Sequence, residues 1–176
     1  IKNLTVNLEI STNPKIVKIA KKIKPNFICI VPENRKEITT EGGLNLKRNK
    51  LKIKKIISQF KKKNIRTSLF INPSINDIKL SKKIGTDCVE IHTGRLANLV
   101  KSKKKYLNEF NRIKSCSNLA NILSIEVHAG HGLDYKTTKI LSKIKQIKEF
   151  NIGHYIIGES VFYGLKNVIK NFKTII

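Results

Sequence analysis

Short apolar segments alternate with longer, lysine-rich amphipathic segments from one end of the chain to the other. The apolar segments are rich in β-branched residues and predict strands, whereas the amphipathic segments have the spacing of helices that bury one face. We predict strands at residues 4–9, 27–31, 67–71, 88–92, 125–129 and 152–157. We predict helices at residues 14–22, 47–63, 75–83, 96–123, 137–145 and 160–172. This alternation predicts an α/β domain built on a parallel sheet.

Polar groups at the ends of the predicted strands indicate which parallel architecture the chain adopts. Segments such as residues 27–30 are apolar on both faces, which leaves a barrel or a doubly wound sheet as candidates. Five of the six strand ends carry titratable or glycine-rich groups. Because only a barrel gathers all these ends around one mouth, we expect residues 1–176 to form a single barrel domain with one shared ligand site.

The formal net charge of +24 fits either a nucleic-acid-binding protein or a protein with solvated helix faces. Only five of the 36 basic residues are arginine, and the lysines are spread over nearly every predicted helix. We therefore interpret the charge as solvated faces and expect no nucleic-acid partner. No segment has the roughly 20 apolar residues of a membrane span, and the first nine residues lack the layout of a signal peptide. We expect no membrane partner and a cytoplasmic location.

The cysteines predict neither a disulfide nor a metal site. Cys29, Cys88 and Cys116 show no CxxC spacing, and the chain contains no HxH or HExxH motif. A free thiol inside an apolar segment behaves as a small core residue. We interpret all three cysteines as structural and expect no metal ligands.

All four histidines lie at or just after the end of a predicted strand, and we expect none on a helix; they are His92, His128, His131 and His154. One histidine is more often structural, but four at the same level of a barrel predict a functional site. Histidine exchanges protons near neutral pH, and a carboxylate in the mouth such as Glu9 can act as partner base. Glu9 can equally be a strand-end residue that forms an ion pair. Glu90, His92 and His128 are candidates for supporting roles.

Glycine-rich loops follow the last two predicted strands. Gly130 and Gly132 flank His131, and Gly153 precedes His154. Glycine allows a phosphate to approach backbone N–H groups closely, and barrels often bind phosphate at this position. The segment TTEGG at residues 39–43 adds hydroxyls elsewhere on the mouth, which predicts room for two anionic substrates. Such short strings also occur as plain turns.

Four of these motifs resemble the pyridoxine 5′-phosphate synthase family, in order and with similar spacing. Residues 24–33, KPNFICIVPE, together with TTEGGL at residues 39–44, resemble the most characteristic segment of that family. EIHTG at residues 90–94, AGHGL at residues 129–133 and NIGH at residues 151–154 follow it. The resemblance extends from residue 7 to residue 166.

The resemblance implies a (β/α)₈ TIM barrel that acts as a transferase-type enzyme of vitamin B6 biosynthesis. Such an enzyme condenses 3-amino-2-oxopropyl phosphate with 1-deoxy-D-xylulose 5-phosphate to form pyridoxine 5′-phosphate, phosphate and water, without a metal or organic cofactor. The implied partners are these small phosphorylated substrates. By resemblance, Glu9 accepts a proton and His131 donates one. The implied substrate contacts are Thr39 for the pentulose phosphate, and Gly132, Gly153 and His154 for the amino-ketone phosphate.

The chain departs from the family pattern in two ways. The family usually has Asn at the position of His128 and Arg or a similar residue at the position of Glu159. The family also begins with about two further βα units that carry another catalytic histidine, and no segment here matches them. We therefore expect an amino-terminally truncated barrel with about six of eight units that is inactive alone. In its full-length form we expect a homo-oligomer.

Two other classes of protein stay open. Another phosphate-binding barrel, an aldolase or isomerase, would usually show a Schiff-base lysine or a glutamate base on a different strand, and no lysine lies inside the predicted strands. A basic nucleic-acid-binding protein would bind with an affinity that falls steeply with salt. The aromatic content of this chain, 6%, offers little for base stacking.

Overall fold

Six parallel strands and eight helices make up the fold in a computed structural model that describes residues 4–33 and 42–176. The strands are β1 (Asn7–Ile10), β2 (Phe27–Ile30), β3 (Arg66–Ile71), β4 (Cys88–His92), β5 (Glu126–Gly130) and β6 (Ile147–Asn151). The helices are α1 (Pro14–Ile23), α2 (Leu46–Lys61), α3 (Ile75–Ile84), α4 (Gly94–Lys101), α5 (Leu107–Ile122), α6 (Tyr135–Leu141), α7 (His154–Tyr163) and α8 (Leu165–Ile175).

The strands pair in sequence order, each parallel to the next, so the sheet runs from β1 to β6 without a switch in direction. The sheet also curls. Asn7 Nδ2 on β1 donates to Glu149 Oε1 on β6 at 3.3 Å, although these strands are at opposite edges. The described residues therefore form a curled half-barrel of the TIM type, which confirms the predicted α/β barrel class with six βα units.

The hydrophobic core lies between the outer face of the sheet and the surrounding helices. Ile28, Leu69 and Ile91 point outward from three strands and are completely buried. Ile53 and Phe60 on α2 are buried as well, while the lysines between them face solvent. Each such side chain contributes about 1.5–3 kcal/mol when fully removed from water. Because successive strand residues alternate in direction, residues one position away from these, such as Cys29, Phe70 and Glu90, face the barrel interior.

Local sequence signals explain where several helices begin and end. Asn13 accepts a hydrogen bond from the Lys15 N–H, and Pro14 then opens α1. Asp134 begins α6 with a reciprocal capping box to Thr137, in which each side chain accepts a bond from the other residue's N–H. These caps satisfy N–H groups that lack partners in the first helical turn.

The strand predicted at residues 152–157 is wrong. The sixth strand is β6, and residues 154–157 form the first turn of α7. The apolar run that suggested a strand is not buried, since Ile157 is 65% exposed. The true strand reads IKEFN, and its Glu149 and Asn151 point into a polar interior, so it lacks the apolar pattern of its neighbours.

Two predicted helices are each interrupted. The helix predicted at residues 96–123 is α4 followed by α5, and Lys103, which has a left-handed backbone with φ of 54°, lies between them. The helix predicted at residues 160–172 covers the end of α7 and most of α8, which are separated by Gly164 with φ of 76°. Both breaks occur where the chain leaves the right-handed helical region.

Two further surface features belong to the fold. Helix α7 has no buried residue, and its Val161 and Phe162 are 79% and 80% exposed. Strands β1 and β6 each have a neighbouring strand on one side only among the described residues. Within the described ranges, no helix combines the length and the apolar character needed to cross a membrane.

Candidate active site

The interior of the half-barrel is polar, and Glu90 on β4 lies at its centre. Glu90 is 4% exposed. Its Oε2 accepts a hydrogen bond from Asn151 Nδ2 on β6 at 2.7 Å and one from Cys29 Sγ on β2 at 3.5 Å. The carboxyl group on β4 is therefore held by side chains from β2 and β6. Each of the two partners is 61 positions from Glu90 in sequence.

Burial raises the pKa of Glu90 to about 7, because the ionised form loses its hydration. The hydrogen bonds from Asn151 and Cys29 act in the opposite direction, and the negative charges of Glu9 and Glu149 raise the pKa further. At neutral pH, Glu90 is therefore present in both protonation states. A carboxyl group in this condition can both give and accept a proton during a reaction.

Glu9, the predicted base, is on the inward face of β1. Its register pairs it with Cys29, and its side chain is exposed to the open interior. Its negative charge raises the pKa of both Glu90 and Cys29, so the three groups share one electrostatic environment. The structure thus brings Glu9 and Glu90 into the same cavity. The catalytic role of Glu9 stays a prediction.

His131, the predicted acid, lies in the loop just after β5 and stacks on His92. The two ring centroids are 4.8 Å apart with an interplanar angle of 25°. Phe70 contacts His92 edge-on at 5.3 Å, so the stack rests on an aromatic side chain from β3. His92 is buried and His131 is exposed. The inner histidine therefore supports the outer one, which faces the mouth.

The backbone around His131 is held in an unusual conformation. His131 and Gly132 have φ angles of 78° and 75°, in the left-handed region that a non-glycine residue rarely adopts. The Thr93 hydroxyl donates to the carbonyl oxygens of Gly130 and His131, at 2.8 and 2.7 Å. These bonds hold the loop against the end of β4. Such strain is typical of functional sites.

Two glycines allow the interior side chains to approach the backbone. A Cβ on Gly94 would be 2.9 Å from both His131 Cδ2 and His92 Cε1. A Cβ on Gly130 would collide with Glu90 Oε1. The glycines of EIHTG and AGHGL therefore provide the space that the histidine pair and Glu90 occupy.

Gly132, Gly153 and His154, the predicted phosphate contacts, follow the adjacent strands β5 and β6 and are all exposed. Gly153 is the N-cap of α7, and no side chain of the residues that the structure describes caps its first turn. The leading N–H groups of α7 can therefore face an anion. His154 is the first residue of α7, so the expectation that no histidine lies on a helix is wrong for this residue. Thr39 lies outside the described residues.

His128, a candidate for a supporting role, is completely buried and lies below the mouth. Its Nε2 is 2.9 Å from Glu126 Oε1, and its Nδ1 is 3.6 Å from Glu149 Oε1. Its hydrogen bond lowers the pKa of Glu126. His128 precedes the AGHGL loop, but the structure groups it with acidic side chains and not with His131.

A pocket of about 610 Å³ opens beside the mouth, between the ends of β3 and β4 and the helices that follow β4. His92 forms one wall, and Arg95 and Arg112 form another. Both arginines pair with Glu109 Oε2, at 3.6 and 3.2 Å, and Glu109 itself is buried. Neither these arginines nor Asn151 was recognised from the sequence as a site residue. The place of Asn151 in the NIGH motif was the only available signal.

The whole chain, residues 1–176, matches the family described as "Pyridoxal phosphate biosynthesis protein PdxJ". The chain belongs to this family. It is 64% identical to a pyridoxine 5′-phosphate synthase of Pelagibacter ubique over 99% of this chain and 73% of that protein. It is 41% identical to the enzyme of the same name from Campylobacter fetus, covering 98% of this chain and 75% of that one. A Wolbachia homologue with that name is 44% identical, covering 96% and 70%.

A solved structure supports the fold independently of the PdxJ relatives. The YdjI aldolase from Escherichia coli K12 superposes with a TM-score of 0.56 at 11% identity, covering 91% of this chain. The chain spans 60% of that aldolase's length. At this identity the likeness shows a shared barrel fold and nothing about activity. The relatives at higher identity favour a pyridoxine 5′-phosphate synthase over the aldolase and nucleic-acid-binding alternatives.

Proposed function

We propose that this PdxJ-family chain provides the catalytic interior of a pyridoxine 5′-phosphate synthase, which condenses 3-amino-2-oxopropyl phosphate with 1-deoxy-D-xylulose 5-phosphate. One observation carries the mechanism. The chain places a buried carboxyl group with a pKa of about 7, Glu90, in the same cavity as the carboxylate of Glu9. The stacked pair of His92 and His131 adds two imidazoles at the adjoining strand ends.

This arrangement suits a reaction that consists mainly of proton transfers. Joining an amine to a carbonyl, losing water and expelling phosphate each require a proton to be removed from one atom and delivered to another. In our proposal Glu9 removes a proton and His131 delivers one. Glu90 holds a proton between these events, because its two protonation states have similar free energies near neutral pH.

The phosphate groups are assigned to the glycine-rich strand ends. The amino-ketone phosphate would contact the N–H groups of Gly132 and Gly153 and the side chain of His154, at the start of α7. The pentulose phosphate would contact Thr39. The net charge of +24 attracts doubly anionic substrates to the mouth. We further propose a cytoplasmic location, no metal or organic cofactor in the reaction, and a homo-oligomeric full-length form.

The test is direct turnover of the two substrates. Purified protein is incubated with both phosphate esters, and formation of pyridoxine 5′-phosphate is followed together with release of inorganic phosphate. Formation of pyridoxine 5′-phosphate and release of inorganic phosphate should be equal in amount, and each should require both esters. A protein that binds neither phosphate ester would show that the proposed function is wrong even though the fold is right.

Substitutions in the active form separate the assigned roles. Glu9→Gln and His131→Asn should each lower kcat by roughly 10²–10⁴, the range for loss of one acid or base. Asp77→Asn is the matched control, because Asp77 is in the first turn of the outer helix α3 and should leave kcat unchanged. Equal losses in all three variants would show a general effect on folding and would contradict the assignment.

A further inference from the structure

A second cluster of titratable side chains lies inside the half-barrel at the amino ends of the strands, separate from the mouth. Cys88, Glu126 and His128 each offer a ligand atom, and these atoms all lie within 4.8 Å of one another. His128 Nε2 is 2.9 Å from Glu126 Oε1, and Cys88 Sγ is 3.9 Å from the same oxygen. Cys88 and Glu126 are the first residues of neighbouring strands and pair directly in the sheet. We propose that this cluster binds a zinc ion.

The ligand set suits zinc in type and in spacing. Zinc takes one thiolate, one imidazole nitrogen and one carboxylate oxygen at about 2.0–2.3 Å each, usually in a tetrahedron, so its ligand atoms are roughly 3.3–3.8 Å apart. Closing the present cluster onto an ion requires shifts of about 1 Å or less, within reach of side-chain rotation. Glu126 is 36% exposed, so solvent can reach the cluster and supply the fourth ligand.

The orientation of His128 is the second observation in favour of a metal. A metal-binding histidine usually donates its other ring N–H to a carboxylate, which fixes the ring and strengthens the ligand. His128 is completely buried, and its Nδ1 makes no hydrogen bond to any described residue, yet Glu149 Oε1 is 3.6 Å away. Glu149 Oε1 also accepts a hydrogen bond from Asn7 Nδ2. With zinc on Nε2, the Nδ1–H would donate to Glu149.

Arg66 supplies positive charge to the cluster in the absence of an ion. Its guanidinium Nη2 is 3.3 Å from Cys88 Sγ and 3.2 Å from Glu126 Oε2. The Arg66 side chain is 44% exposed, so it can turn into solvent when an ion replaces it. Binding then releases the thiol proton of Cys88 to solvent and requires the neutral imidazole of His128 to carry its proton on Nδ1. Because a thiol must lose its proton to bind zinc, zinc affinity should increase with pH.

This inference departs from the sequence-based expectation that the chain has no metal ligands. That expectation depended on local motifs, whereas Cys88 is 38 positions before Glu126 and meets it only through strand pairing. The cluster is at the amino ends of the strands, where barrels gain stability and not activity, so we assign the zinc a structural role.

The test is a zinc titration of the full chain in competition with a chromophoric chelator. We expect one zinc ion per chain and a rise in Tm of about 5 °C or more at zinc concentrations far above Kd. Cobalt bound in place of zinc should give a thiolate-to-cobalt charge-transfer band. Cys88→Ser should abolish this band, and His128→Asn should weaken zinc binding at least tenfold. Cys116→Ser is the matched control, a buried cysteine outside the cluster, and should bind zinc normally.

Two further variants distinguish a metal site from a plain ion-pair network. Glu149→Gln should weaken zinc binding roughly 10- to 100-fold by removing the histidine's acceptor. Arg66→Gln should tighten it, because the competing cation is gone. The proposal is overturned if wild-type protein binds no stoichiometric zinc, if folded Cys88→Ser binds it equally well, or if Arg66→Gln binds it more weakly. Circular dichroism of each variant establishes that it is folded.

Discussion

Replacing Glu90 by glutamine should change how the stability of the protein depends on pH. In the unfolded chain this carboxyl has the ordinary pKa of 4.5, and in the folded protein burial raises it to about 7. Between these values the folded protein binds more protons than the unfolded chain, so the free energy of unfolding falls as pH rises. At 1.36 kcal/mol per pKa unit, the full loss is about 3 kcal/mol, and most of it falls between about pH 5 and pH 8.

Glu90→Gln carries no charge at any pH and should not show this loss. The assay is urea denaturation of wild type and variant at about pH 5 and pH 8. Relative to wild type, the variant should gain roughly 2–3 kcal/mol between the two conditions. Glu126→Gln should behave in the opposite way. Its carboxyl has a lowered pKa, mainly through the His128 hydrogen bond, so the stability it gives is present at high pH and lost as pH falls.

The result that refutes the reasoning is a stability difference between wild type and Glu90→Gln that is the same at both pH values. Such a result would mean that Glu90 ionises as readily in the folded protein as in the unfolded chain. The proposed exchange of protons at Glu90 near neutral pH would then have no basis. A variant that gains stability at pH 8 but also loses all turnover would support both the burial and the catalytic role.

Three further predictions concern stability and are measured by urea denaturation. Gly130→Ala should cost roughly 1–3 kcal/mol, because the added methyl group collides with the Glu90 carboxylate. Arg112→Ala should cost roughly 1–3 kcal/mol, because it removes the nearer cation from the buried carboxylate of Glu109. Asp134→Ala should cost about 1 kcal/mol, because it removes the capping box that begins α6.

Each of these variants has a matched control. Gly153→Ala places a methyl group in open space and should cost less than Gly130→Ala. Arg95→Ala removes the exposed partner of Glu109, at 70% exposure, and should cost about 1 kcal/mol or less. Asp134→Asn retains a side-chain acceptor and should preserve most of the cap. A control that costs as much as its test variant would contradict the contact named for that variant.

The strands could be predicted where the apolar alternation is strong. The strand at residues 88–92 has the same limits as β4, and the strand at residues 27–31 differs from β2 by one residue. The prediction failed at β6, since its inward side chains are polar and complement other polar groups of the interior. Sequence periodicity detects a strand by the contrast between a polar face and an apolar face, and β6 shows little such contrast.

The candidate site could be predicted only in part. Glu9 and His131 were predicted as site residues because they are polar groups at strand ends. The structure places both on the interior side of the barrel, and their catalytic roles stay predictions. The importance of Glu90 depends on its burial and on partners 61 positions away, which no local motif expresses. The same reason hid the pairing of Cys88 with Glu126, because the two residues become neighbours only when β4 and β5 align.

The absence of side chains at Gly94 and Gly130 has a consequence for attempts to alter this enzyme. A methyl group at Gly94 would press on both stacked imidazoles, and one at Gly130 would press on the central carboxylate. Directed evolution for new substrates should therefore keep these two positions unchanged and place its diversity in the exposed loops. Libraries that vary the two glycines will be depleted of working clones, whatever substrate is selected.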